Sequence, residues 1–458
     1  KLASVVLVAA VLLVGSSSAS FVKYCHGKPD PTKASHNVKP VWTAAPTFVN
    51  KSSTGSRWVT GSDATGNKIH VLHAYGTPYE MGLAQGVLFK EELHQQLNRT
   101  FEAIYNEAEQ AVNKSAPKIS KLLPLWAQEF IIKHGLRAAL DLTIDATKKY
   151  TSPIEAEEVK GIADGSGMDY KDMLRLQFMG ELTQAHCSML GAWGDAVAPG
   201  QNLLQVRAFD WDTALGLQQF PLTIIYHPSD SKYGHPFALA TWVGAIFALS
   251  GYSSSKLAIS QIGVSCPDDT FGHESRFGQP FVFMLKDVLR FDTSVDEATE
   301  RMQNTHRTCN LILGVGDGKA GKFRGYQSSA SVFNVFDDTN LLPYNASDNW
   351  HPRIKDVVYW GMDWMDPGYD TALSGLLTTY HGNLTAHRII EDVFPVAQTG
   401  NMLVAVYDFE VDTMYLSHAE YKPSLPNPDH DRTTLAFNRA YVAFDMAALF
   451  NTTLDDAQ

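Results

Sequence analysis

The stretch "HCSML", residues 186–190, places a cysteine between a histidine and a serine, and twenty residues beyond that cysteine the chain reads "RAFDWD", residues 207–212. Cys187 is open to three readings: a buried structural thiol, half of a disulfide, or a nucleophile. What surrounds it decides the fold. Upstream, "KIHVLHAY" (68–75) reads as a strand. "GTPYEMGLAQGVLFKEELHQQLNRTFEAIYNEAEQAV" (76–112) reads as a turn and a long helix, with Met81, Leu83, Ala84, Val87 and Leu88 on a 3.6-residue period. "LPLWAQEFIIKHGLRAALDLTIDATKKY" (123–150) and "SPIEAEEVKGIADGSGM" (152–168) are further helices, the latter opened by Ser152-Pro153. The acidic run "EAEE" (155–158) reads as a solvated face suited to the helix dipole.

Downstream the pattern changes. "NLLQVRAFDW", "PLTIIYHP", "FALATWV", "LAISQIGV", "CNLILGVG", "MLVAVYDFE" and "TMYLSHAE" are short β-rich runs broken by Gly, Pro, Asp and Asn. "PFVFMLKDVLRF", "VDEATERMQN" and "TAHRIIEDVF" between them read as helices. Helices first and mostly antiparallel strands afterwards predict an α+β fold in which sheets pack on each other beneath helices.

The chain has 458 residues, 45% apolar and 19% charged, which is the balance of a folded globular protein. A net charge of −12 and the absence of any basic run exclude a polyanion-binding surface, so nucleic acid is not expected as a partner. "KLASVVLVAAVLLVGSSSAS" (1–20) has the layout of a secretory signal peptide, its apolar run from Val5 to Val14 being short for a bilayer. Residues 21–62 read as an extended lead-in. No later segment is apolar enough to span a membrane. Six sequons, at Asn50, Asn98, Asn113, Asn345, Asn383 and Asn451, agree with export to the outside or to an endolysosomal compartment. The four cysteines, Cys25, Cys187, Cys266 and Cys309, are too few for a disulfide framework, and a single Cys266–Cys309 bridge is the expectation. With no C-x-x-C and no H-E-x-x-H, neither a metal nor a cofactor is expected.

Other chemistries fail on context. "GDGKAG" (316–321) fits a dinucleotide fingerprint, but "KFRGYQ" after it reads as a strand where a helix is needed, so a hairpin loop is the better reading. There is no G-x-S-x-G elbow. A papain-like pairing of Cys187 with His306 or His381 lacks the signature around the nucleophile. "WVGAIFAL" (242–249) is apolar and aromatic enough to line an acyl pocket, but a core strand is the better reading. Arg207 and Asp210, three apart on a predicted strand, face opposite sides unless the chain bends near Phe209.

On these residues the sequence resembles the N-terminal nucleophile (Ntn) hydrolases of the choloylglycine-hydrolase superfamily, and within it the group containing acyl-CoA:6-aminopenicillanic acid acyltransferase. "HCSML" matches the nucleophile position and "RAFDWD" the Arg-x-x-Asp-Trp element. "GTPYEMGLAQGVLFKEEL" (76–93) resembles the group's G-x-P-x-E-x-G segment and "EEVKGIADGSGM" (157–168) its E-x-x-G-I-A-x-G segment. "RTCNLILGVGD" (307–317) resembles the segment bearing an oxyanion-hole asparagine, here Asn310. The resemblance implies a four-layer αββα sandwich, with a helical pro-region or α chain (63–186) and a nucleophile-bearing β chain (187–458) packed as one domain. It implies cleavage between His186 and Cys187, a Cys187 thioester, Asp210 holding the new α-amine, Arg207 neutralising Asp210, and Asn310 in the oxyanion hole. Ser253 stands where relatives carry an asparagine donor and is a second oxyanion candidate. The implied activity is amide hydrolysis or acyl transfer on a small-molecule or lipid-like acyl substrate, with the α and β chains of one precursor as mutual partners. A phospholipase B-like lipid esterase and a non-catalytic secreted glycoprotein on the same scaffold are the other readings.

Overall fold

The computed structural model describes residues 34–61, 67–100, 131, 134–182, 186–211, 213, 216–264, 269–340, 351–361, 367–421 and 433–457. The signal-peptide stretch, Cys25, Cys266, Asn113 and Asn345 lie outside the described residues. In chain order the first elements are β1 (Val41–Trp42), β2 (Thr47–Lys51), β3 (Gly55–Thr60) and β4 (Ile69–Gly76). Helices α1 (Pro78–Leu88), α2 (Leu136–Thr147), α3 (Pro153–Ser166), α4 (Tyr170–Gln177) and α5 (Met179–Leu182) follow. Next come β5 (His186–Ala192), β6 (Leu204–Asp210), β7 (Pro221–Pro228), β8 (Phe237–Trp242), β9 (Gly251–Ser253) and β10 (Leu257–Gly263). Then come α6 (Phe281–Phe291), α7 (Val295–Asn304), β11 (Leu311–Asp317), β12 (Lys322–Ser328), β13 (Phe333–Phe336), β14 (Val357–Trp360) and α8 (Pro367–Thr379). Last are β15 (Leu403–Asp408), β16 (Thr413–His418) and β17 (Tyr441–Asp445), with a short Glu420–Tyr421/Thr433–Thr434 pair beside them.

Two sheets result. One has seven strands in the order β1-β17-β16-β15-β6-β5-β14, the other ten in the order β13-β12-β11-β10-β9-β8-β7-β4-β3-β2. Period-2 alternation assigns each face. On the seven-stranded sheet Cys187, Met189, Phe209, Leu403 and Leu416 point into the core shared with the ten-stranded sheet. Leu190, Val206, Ala208, Val404 and Val406 point outward, onto Leu373, Leu377 and the helical segment 386–397. Helices α1, α3, α6 and α7 cover the far face of the ten-stranded sheet. The layers are therefore helix, sheet, sheet, helix: the αββα sandwich the resemblance implies.

Several expectations shift in detail. The lead-in is not merely extended: β2 and β3 form a hairpin on β4, and β1 pairs in parallel with β17. Polar outward residues mask that alternation in the sequence. The helix expected over 76–112 is interrupted at Phe89, a fully buried residue in a non-helical conformation (φ −125°), and resumes through residue 100; residues 101–112 lie outside the described residues. Beyond Trp242 the "WVGAIFAL" stretch leaves the sheet as a buried loop; Gln85 and Gln177 accept from the N–H groups of Gly244 and Ile246. "GDGKAG" is the hairpin loop between β11 and β12, with Asp317 opposite Lys322.

The "EAEE" reading is overturned. Glu155 and Glu158, three apart on one helix face, are buried. Lys286 Nζ donates to Glu158 at 2.6 Å and Glu155 at 3.2 Å, Arg290 donates to Glu155 at 2.8 Å, and Tyr226 Oη to Glu158 at 2.7 Å. This ionic cluster fastens α3 to α6 across the helical layer. Of the described sequon asparagines, Asn50, Asn98, Asn383 and Asn451 are all exposed.

Candidate active site

Antiparallel pairing of β5 with β6 sets His186 opposite Asp210, Cys187 opposite Phe209 and Met189 opposite Arg207. Alternation then sends Cys187, Arg207 and Phe209 into the space between the sheets, and Ser188, Ala208 and Asp210 to the other face. Arg207 Nη2 donates to Cys187 Sγ at 3.3 Å and to Gln261 Oε1 of β10 at 3.2 Å. Its guanidinium carbon lies 4.3 Å above the Phe209 ring. Its Nε and Nη1 have no partner among the described residues. Burial pulls the Arg207 pKa down, and the neighbouring thiol opposes that. Burial pushes the Cys187 thiol up, while Arg207 and the main-chain N–H groups of Asp210 and Gly263 favour the thiolate. The guanidinium beside the sulfur favours the thiolate, while burial, the larger effect, favours the neutral thiol.

Asp210 has a separate setting. Its carboxylate accepts from Gly400 N at 2.8 and 2.9 Å, Asn401 N at 2.8 Å and Thr399 Oγ1 at 2.9 Å. Thr399 Oγ1, having donated to Asp210, accepts from Ser188 Oγ at 2.6 Å. The Asn401 amide clasps the main chain of Trp211 at 3.0 Å in both directions, as a ladder partner would. Burial raises the Asp210 pKa to about 6 in spite of these donors. One expectation is thereby corrected: Arg207 does not pair with Asp210. β6 keeps its alternation with no bend at Phe209, so the two side chains occupy opposite faces. The thiol of Cys187 faces Arg207, while the His186–Cys187 peptide lies opposite the Phe209–Asp210 peptide.

Asn310 immediately precedes β11. Its carbonyl accepts from Val264 N at 3.1 Å and its N–H donates to Glu274 Oε1 at 3.1 Å. The neighbouring register pair Gly263–Leu311 puts it beside the residue whose N–H faces Cys187. Ser253 goes elsewhere. Its Oγ caps the β9–β10 turn, accepting from Ser255 N at 3.2 Å and Leu257 N at 3.4 Å. Six residues of strand, roughly 20 Å, separate that turn from Gly263. Ser253 is not an oxyanion donor.

Of the expected Cys266–Cys309 bridge, Cys266 lies outside the described residues. Cys309 is a free, buried thiol donating to Glu181 Oε2 at 3.4 Å, and burial beside that carboxylate pushes its pKa well up and keeps it protonated. The histidines considered as papain-like partners are engaged away from Cys187: His381 Nε2 contacts the Lys355 carbonyl, and His306 packs on Tyr150. The sequence did not single out Gln261 or the Thr399–Asn401 loop. The one local signal is "TGN" before a strand, which reads only as a turn.

No protein-family model matches the chain. It is 34% identical to protein dcd1A of Dictyostelium discoideum over 425 residues, covering 91% of this chain and 93% of that protein. It is also 34% identical to protein dcd1B of the same organism over 418 residues, covering 90% and 80% respectively. Among solved structures, an N-acylethanolamine-hydrolyzing acid amidase ortholog from Caenorhabditis elegans is similar at a TM-score of 0.36 and 13% identity, over 56% of this chain and 98% of that one.

Proposed function

The chain belongs to the family of the Dictyostelium proteins dcd1A and dcd1B, and from that premise and its site geometry we propose that it is a self-processing Ntn cysteine amidohydrolase or acyltransferase, secreted or endolysosomal. The observation that supports this most is the register of β5 on β6. It sets the thiol of Cys187 against a buried guanidinium and sets the His186–Cys187 peptide opposite the Phe209–Asp210 peptide.

In maturation, Cys187 Sγ attacks the His186 carbonyl carbon. The C–N bond breaks, the acyl group passes to sulfur, and the amine takes a proton. Water then hydrolyses the thioester, leaving Cys187 as a new N-terminus. An α-amine of pKa about 7.7–8.0 and a thiol of about 8.5 exchange a proton near neutrality, so nucleophile and base reside on one residue. In turnover the thiolate, stabilised by Arg207, attacks a substrate carbonyl. The tetrahedral oxyanion takes hydrogen bonds from Asn310 and the Gly263 N–H, and losing one such donor typically costs about 10²–10³ in kcat. The ammonium donates its proton to the leaving amine, and water or a second acceptor releases the acyl group. Asp210, fixed by the Thr399–Asn401 loop, orients the α-amine.

N-terminal sequencing of every chain in the purified protein, before and after acid incubation and beside Cys187→Ala, tests this. A chain beginning at Cys187 that the variant lacks is the expected result. A single uncut chain under all conditions, with no acyl-amide turnover, overturns it.

A further inference from the structure

Both sheets end together at the site. β5 and β11 begin there, β6 and β10 finish there, and the pairings Phe209–Leu403–His418 carry the same level across to β16. His418 and the end of β8 therefore belong to the same end of the sandwich as Cys187. Phe209, whose face takes the Arg207 guanidinium, stands 5.5 Å from Trp242 and 5.4 Å from Trp211 by ring centroids. Trp242 meets His418 edge-on at 5.8 Å.

This aromatic wall has an unusual polar content. Both ring nitrogens of His418 and the indole nitrogens of Trp242 and Trp211 are buried without a hydrogen-bond partner among the described residues. His418 and Trp242 are almost completely buried. Buried polar groups are ordinarily satisfied, and each one left unmade costs free energy comparable to a lost hydrogen bond. Four such atoms in one contiguous wall beside a candidate nucleophile mark a place built for a partner.

We propose that His418, with the Trp242 and Trp211 N–H groups, binds a neutral hydroxyl on the acyl part of the substrate, making His418 a specificity-determining residue. This deepens the proposed function and rests on it. The acyl part is the one concerned because it is bonded to Sγ in the intermediate, and Sγ lies on the face that carries this wall. A hydroxyl fits because a neutral imidazole has one donor and one acceptor, and a hydroxyl both donates and accepts. Burial and Arg439 hold His418 neutral, with a pKa near 3. Arg439 is itself committed, donating to the His418 carbonyl and pairing with Glu420 at 3.4 Å. Among the described residues the one cation beside His418, Arg439, is already committed, so a carboxylate gains no ion pair there, and an alkyl terminus would leave the four polar atoms unpaired.

The test uses the processed full chain and p-nitroanilides of hexanoic acid, 6-hydroxyhexanoic acid and adipic acid, which differ only at the far carbon. The hydroxyl substrate is expected to exceed hexanoyl by about tenfold in kcat/KM, the worth of one well-made hydrogen bond, with adipoyl lowest. In His418→Phe the hydroxyl-to-hexanoyl ratio is expected to fall to near one. Cys187-dependent cleavage with equal rates on hexanoyl and 6-hydroxyhexanoyl in the wild type overturns this inference and leaves the proposed function standing. An unchanged ratio in His418→Phe also overturns it. Cleavage persisting in Cys187→Ala overturns the proposed function instead.

Discussion

At the scale of single residues, the site divides its labour between two faces of one strand. Arg207 meets the sulfur of Cys187 on one face, and on the other the Asp210 carboxylate is held by Thr399, Gly400 and Asn401. Cys187 and Arg207, which the structure brings together, lie in short local patterns that the sequence shows. Thr399, Gly400 and Asn401 were not legible there, because they reach Asp210 from about 190 residues away, and nothing in "TGN" distinguishes a carboxylate cradle from any other turn. The failed Arg207–Asp210 pair has the same lesson: alternation already forbade it, and the motif suggested it. The Asp210 pKa of about 6 makes a prediction. A carboxyl raised above its ordinary value contributes most stability when protonated. That contribution is fully present below about pH 3.8 and is lost as pH rises through 6, a penalty of about 3 kcal/mol at neutrality. Asp210→Asn should therefore raise the melting temperature at pH 7 and make little difference at pH 4, while slowing cleavage before Cys187. Its amide nitrogen cannot accept from Gly400 N, so the gain falls short of the full penalty. A lower melting temperature at pH 7 than the wild type would refute this account of Asp210.

Among the elements, the strands were read well wherever period-2 runs are apolar on at least one face, and poorly where they are not, as in β2, which is mostly exposed. The helix pair α1 and α3 shows what the sequence held but did not declare. Gly82 and Gly86 on α1 meet Gly161 and Gly165 on α3, and each pair lies four apart on its own helix. A Cβ on Gly161 would lie 2.1 Å from the Tyr79 carbonyl oxygen, and one on Gly82 2.0 Å from that of Glu158. The two segments that resemble the superfamily motifs are thus two halves of one backbone-to-backbone contact. It brings Glu155 and Glu158 to Lys286 and Arg290. Gly161→Ala should cost about 1–3 kcal/mol or more, since only the backbones can give way. Gly375, on α8, is exposed and has nothing within 4 Å of its Cβ position. Gly375→Ala should gain about 0.5–1 kcal/mol by reducing the freedom of the unfolded chain. Chemical denaturation of both variants checks the contrast. Equal effects would mean that helix propensity, and not the close approach, governs Gly161.

Across the whole molecule, the parallel pairing of β4 with β7 makes one sandwich of the helical first part and the strand-rich second part. No local pattern announces such a pairing, because its partners lie 154 residues apart at His73 and His227. The same pairing buries histidines. His73 Nδ1 lies 3.0 Å from His227 Nε2, with Tyr75 stacked 4.3 Å from His227. Burial lowers the pKa of His73 and His418 to about 3 and of His70 and His227 to about 4, with Arg57 adding to the effect at His70. A histidine held neutral in the fold contributes stability that is present above the unfolded pKa of about 6.5 and is lost as pH falls from there toward the folded value. Asp210 works in the opposite direction, as do Glu158 and Glu181, whose pKa values burial also raises. Carboxyl effects of that sign are confined mostly to pH below 6, whereas all four histidines begin to act at 6.5. The melting temperature should therefore be highest above pH 6.5 and fall as the medium is brought to pH 5, and replacing both His73 and His227 should flatten the slope. A maximum at neutral pH would favour the extracellular half of the proposed location. A melting temperature that rises toward pH 5 would mean that the buried carboxyls outweigh the histidines and would favour an acidic compartment.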